Sequence, residues 1–104
     1  MNKEVIDRWI KALRSGKYKQ CQNQLTDGEG FCCIGVLAIV ENKTIPCPAY
    51  GPDDNNVRAN KVVYSWADET VGRDIASKGM SMNDIGLDFN QIADTIEEMA
   101  NETR

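Results

Sequence analysis

"KYKQCQNQLTDGEGFCC", residues 17–33, decides the fold class into which this chain is read. Tyr18, Gln20, Gln22 and Gln24 alternate with Lys19, Cys21, Asn23 and Leu25, a period of two that suits an extended strand. Asp27–Gly28 then supplies a strong reversal signal ahead of Phe31 and Cys32. The spacing predicts a β-hairpin from residues 18–25 and 29–33. With helices on either side, the expectation is an α+β domain: a small antiparallel β-sheet, with N- and C-terminal helices packed around a buried central helix.

Upstream, Val5, Ile6, Trp9, Ile10 and Leu13 recur at helical spacing and predict an amphipathic helix over residues 3–15. Gly16 is placed to end it in a left-handed cap. Downstream, Cys33 to Val40 is apolar on all sides and could continue the strand or form a buried helix, which periodicity cannot decide; a helix over residues 34–41, ended by Asn42, is the favoured reading. Pro46, Pro48, Gly51, Pro52 and the polar run Asp53–Asn56 break regular structure, so residues 42–61 read as a long loop. Val62–Val63–Tyr64 is a short strand candidate. Met80, Met82, Asn83 and Ile85 fit a short helix ended by Gly86. Asp88 with Gln91 makes a variant capping box for a last helix, whose stripe is Phe89, Ile92, Ala93, Ile96 and Met99.

At 104 residues the chain suits a single domain, 1–104. Its longest apolar run, Phe31 to Val40, is about half of a membrane span. The opening "MNKEVIDRW" shows no apolar secretory core, so a cytoplasmic location is the expectation. Net charge is −4 and uneven. Residues 1–20 carry Lys3, Arg8, Lys11, Arg14, Lys17 and Lys19 against Glu4 and Asp7, a local +4 that leaves −8 for the rest. The acidic remainder argues against wrapping a nucleic-acid backbone. The basic end suits a small anionic ligand or an acidic partner, although cations at a helix C-terminus are also favoured by the helix dipole.

Cys21, Cys32, Cys33 and Cys47 include no C-x-x-C pair, and the chain has no histidine. Vicinal Cys32–Cys33 fits neither the separated pairs of a zinc site nor an unstrained disulfide. The thiols are read as small core hydrophobes, with no metal. General-base candidates reduce to Asp27, Glu29, Asp53, Asp54 and Asp84, acids whose turn and cap positions serve geometry. No catalytic residue and no cofactor are expected, and the chain is read as a non-enzyme.

Three stretches carry a resemblance: W-I-x-A-L-R-S-G-x-Y-x-Q at 9–20, F-C-C-I-G-V-L at 31–37 and M-N-D-x-G-x-x-F-x-x-I-A-D-x-I-E at 82–97. In this order they resemble a broad group of small bacteriophage and prophage proteins. In that group the second motif continues into a further Cys and an acid, where this chain has Ala38 and Ile39. The resemblance implies phage origin, and so an infected bacterial cell, rather than a mechanism. Small phage accessory proteins commonly act by binding, often to disarm antiviral defence.

The reading is therefore a non-catalytic binder that sequesters a small anionic, nucleotide-like signal. Its expected ligand-binding residues are Arg8, Lys11, Arg14, Lys17, Tyr18, Lys19, Gln20 and Trp66, which combine cations, amide donors and stacking rings. Arg14 is the foremost of them, because a planar guanidinium can grip a phosphate in two places. One alternative is docking on a host defence protein through the acidic surface. Another is a DNA-binding regulator, since "MNDIGLDFNQIADTIEEM" resembles the opening of a helix-turn-helix. Self-association into a homo-oligomer is also expected, with no membrane partner.

Overall fold

Helix α1 spans Lys3–Arg14 and starts where the sequence says it should. The Asn2 side chain accepts a hydrogen bond from the Val5 N–H at 3.2 Å, while Lys11 and Arg14 occupy the last turn. Gly16 follows with φ +72°, the left-handed conformation that closes a helix. The buried stripe is Val5, Ile6, Trp9, Ile10 and Leu13. The computed structural model describes residues 2–22, 25, 29–43 and 54–102.

Helix α2, Cys33–Val40, is the central element. Eight residues are too few to hold a helix in water, so packing must do it. Residues 33 to 38 are all buried, and each large apolar side chain so enclosed is worth about 1.5–3 kcal/mol. Asn42, with φ +61°, stands just past its end. Gly35 is required by proximity, because a Cβ there would collide with the Leu25 carbonyl oxygen.

Three further helices complete the fold: α3, Asp54–Val71; α4, Arg73–Asp84; and α5, Phe89–Glu102. The Asp88 and Gln91 capping box forms, with Gln91 N–H donating to Asp88 Oδ1 at 2.9 Å and Asp88 N–H to Gln91 Oε1 at 3.1 Å. Helix α1 packs against α5, α2 and α3, and α4 packs against α3, α5 and α2. All five helices border one core, with Trp9, Leu37, Ile92 and Ile96 fully enclosed.

The fold is helical, and the α+β expectation is corrected. No strand occurs among the described residues; the proposed hairpin is replaced by a single bridge, Gln20 to Phe31, in the parallel sense. Two hydrogen bonds make it, Cys21 N–H to the Phe31 carbonyl at 2.9 Å and Phe31 N–H to the Lys19 carbonyl at 2.8 Å. The physical reason lies in the alternation itself. Neither set of alternating residues is apolar throughout, so a two-stranded ribbon would have no face to bury. Leu25 instead turns fully into the core, and its carbonyl accepts from Cys32 N–H at 3.1 Å. The Asp27–Gly28 turn lies outside the described residues. Val62–Val63–Tyr64 is likewise not a strand but part of α3. That helix begins at Asp54, within the stretch 42–61 read as loop, and residues 44–53 lie outside the described residues. No described helix is long and apolar enough to cross a membrane.

Candidate functional site

The basic N-terminal end divides into cations that are already committed and cations that are not. Arg8 bridges α1 to the end of α2: its Nε and Nη2 donate to the two oxygens of Glu41, both at 2.8 Å. The hydrogen bond from Arg8 holds the Glu41 carboxyl below the usual carboxylate range, and the same bond raises the guanidinium. Arg14 bridges α1 to α5, donating from Nη2 to Asp94 at 2.6 Å and from Nη1 to Glu97 at 2.9 Å. Those two bonds, Asp94's first, raise its pKa. Lys19 pairs with Glu29 at 3.2 Å across exposed surface.

Lys11 and Lys17 have no ion pair among the described residues. Together with Arg8, Ala12, Ser15, Tyr18 and Val40 they line an open cleft of about 290 Å³ beside the C-terminal half of α1. Tyr18 is fixed there by an edge-on contact with Phe31, ring centres 6.1 Å apart. Four of the eight expected ligand residues, Arg8, Lys11, Lys17 and Tyr18, thus share one cleft. The cleft also meets the C-cap of α1 and the last residue of α2, where backbone dipoles are negative. The two lysines must offset that field before they attract an anion.

The other expected residues do different work. Arg14 lines a second groove, of about 500 Å³, with Asp7, Ile10, Lys11, Ser15 and Glu97, but its donors face carboxylates. Gln20 turns inward, its amide donating to Asn83 Oδ1 at 2.9 Å and to the Leu87 carbonyl at 2.7 Å. Trp66 sits on α3 in a groove with Lys43, Val62 and Val63, and the Lys43 ammonium lies 5.3 Å from its ring centre.

The residue missed by sequence reasoning is Asn83. It is fully buried and makes bonds on both ends of its amide. Its Nδ2 donates to the Cys21 carbonyl at 2.8 Å, and its Oδ1 accepts from Gln20 and from Cys33 N–H at 3.2 Å. The Gln22 amide adds a bond to the Asn83 carbonyl at 3.3 Å. The only sequence signal was a polar side chain among the methionines of the short helix pattern. What Asn83 does is organise: it fastens residues 20–22 and the start of α2 to the end of α4.

The paired cysteines belong to the same wall. Gly35 N–H donates to Cys32 Sγ at 3.4 Å, so the thiol caps α2, and Trp9 Nε1–H donates to the Cys33 carbonyl at 2.8 Å. Burial pushes the Cys32 thiol up to about 11 and Cys33 well above its ordinary value. A raised thiol pKa leaves little thiolate at neutral pH, and so little nucleophilic reactivity. Cys47 lies outside the described residues, as do Asp27 and Asp53. Among the described residues no group of three or more Cys, Asp or Glu could hold a metal ion.

No curated protein and no solved structure matches the chain. A family model described as a domain of unknown function, DUF8296, matches residues 1–100, and the chain therefore belongs to the DUF8296 family.

Proposed function

We propose that this is a non-catalytic binding domain whose cleft beside α1 takes a small anionic, nucleotide-like ligand. The carrying observation is that Lys11 and Lys17 lack ion partners among the described residues and line one cleft with the Tyr18 ring. The lysines supply the charge for a phosphate, and the half-buried ring supplies a face for a base. Arg8, already held by Glu41, forms a wall of fixed geometry rather than a mobile clamp. Arg14 does not serve as the phosphate grip, since both of its ion pairs run to α5. The open cleft and the helix C-termini around it argue for modest, salt-sensitive affinity. The role in countering host antiviral defence rests on the resemblance to small phage proteins.

The test is calorimetric titration with nucleoside mono-, di- and triphosphates at low and high salt. Lys11→Ala and Lys17→Ala should each weaken binding by about tenfold with little change in melting temperature. Arg14→Ala should do the reverse, lowering the melting temperature while binding persists. Absence of heat with every phosphate compound, or loss of binding in Arg14→Ala alone, would overturn the reading. DNA binding finds no support in α5, which exposes Asp94, Glu97 and Glu98 to solvent, where they would repel phosphates.

A further inference from the structure

A groove on the outer side of α3 is left unused by that reading. It holds about 370 Å³ and is lined by Lys61, Val62, Ser65, Trp66 and Glu69, a stripe running down one side of the helix. Val62 is 67% exposed, one of two large hydrophobic residues left in solvent among the described ones. It sits one turn from Trp66, which is only half-buried. The stripe carries opposite charges at its two ends. Lys61 and Glu69 are eight residues apart, roughly 12 Å along the axis, too far to pair within the helix. Neither makes an ion pair among the described residues.

We propose that this stripe is a homodimer contact, on which a second copy of the chain lays its own α3 antiparallel about a two-fold axis at Ser65. Ser65 is the midpoint between Lys61 and Glu69, so the reversal brings each lysine level with the glutamate of the second copy. Two ion pairs then form at the ends of the contact. Each Val62 falls at the level between Trp66 and Glu69 of the second copy, which covers the exposed apolar surface. The small serine at the crossing lets the helices approach closely. A parallel arrangement in register would set lysine against lysine and glutamate against glutamate. The charge pattern is thus self-complementary in one orientation only, and this selects a second copy over an unrelated partner.

The contact is short, about two helical turns, so the dissociation constant should lie roughly between micromolar and millimolar. Sedimentation equilibrium of the full chain at low salt, up to about 1 mM, should show a reversible monomer–dimer system. Val62→Arg should leave a monomer. Lys61→Glu and Glu69→Lys should each weaken the dimer by about tenfold, through repulsion where there was attraction. The double variant Lys61→Glu/Glu69→Lys should restore it, because both pairs re-form with their signs exchanged. Circular dichroism checks that each surface variant keeps its helices. A strictly monomeric chain, a dimer indifferent to Val62→Arg, or a dimer that the double exchange fails to restore would each overturn the proposal. Lys11 and Lys17 take no part in this contact, so failure here and failure of anion binding are read separately.

Discussion

Asn83 shows how one polar side chain can hold residues 20–22 and the start of α2 to the end of α4. Its amide oxygen accepts two bonds and its nitrogen donates one, all within an enclosed site. Removing the side chain takes a hydrogen-bond partner from the Cys21 carbonyl, the Cys33 N–H and the Gln20 amide, and a buried group left unpaired costs about 1–3 kcal/mol. Asn83→Ala should therefore destabilise the protein by about 3 kcal/mol or more, measured by urea unfolding. Asn83→Asp is the sharper probe. It keeps the shape but replaces the donor to Cys21 with a buried carboxylate, whose proton affinity rises with desolvation. As pH falls through that raised value the acid protonates and regains a donor, so the deficit against wild type should shrink. A deficit independent of pH would show that Asn83 contributes by shape and not by its donor.

Between elements, the arginines of α1 act as ties. Arg8 reaches Glu41 at the end of α2, and Arg14 reaches Asp94 and Glu97 on α5. The sign of the pH effect follows from Glu41, whose carboxyl is held below its ordinary value of 4.5 by the Arg8 hydrogen bond. A group with a depressed folded pKa stabilises the fold above its unfolded value, and that contribution is lost as pH falls through the folded value. Glu41→Gln should lower the melting temperature near neutral pH. The gap from wild type should close as pH is taken below 4.5. A constant gap from neutral pH down to the acid limb would mean that the charge on Glu41 is not what ties the two helices. Arg14 uses more exposed partners, so each of its pairs should contribute less than about 1 kcal/mol and fade with added salt.

At the scale of the whole molecule, the core makes the thiols reporters of global unfolding. Cys32 and Cys33 are buried at the start of α2, against Trp9 and α4, where a Cβ on Gly79 would stand 3.2 Å from Cys33 Sγ. At about pH 8, iodoacetamide should modify both only as fast as the whole domain unfolds, with site-resolved mass spectrometry tracking the urea transition. Rapid labelling of Cys32 or Cys33 in the native protein would show the wall to be open. A raised folded thiol pKa also stabilises the fold below the unfolded value. Stability should thus fall as pH climbs from 9.0 through about 11.

Helices α1 and α5 were legible in the chain because their causes are local: the Trp9 stripe and the Asp88–Gln91 box each lie within a few turns of themselves. The apolar run Cys33–Val40 marked a buried segment, but only its packing decided that it is a helix. The basic end was legible as composition, but not as a site. Its neutralising acids arrive from elsewhere: Glu41 is 33 positions from Arg8, and Glu97 is 83 from Arg14. The same distance in sequence misled the hairpin reading. Period-two alternation through Gln20 and Gln22 suggested strands, yet those amides are satisfied by Asn83, more than sixty residues on. Local periodicity can state which residues could share a face. Whether polar groups pair across a ribbon or with a distant helix is decided only when the helices pack, because a buried amide must find its partner wherever the core supplies one.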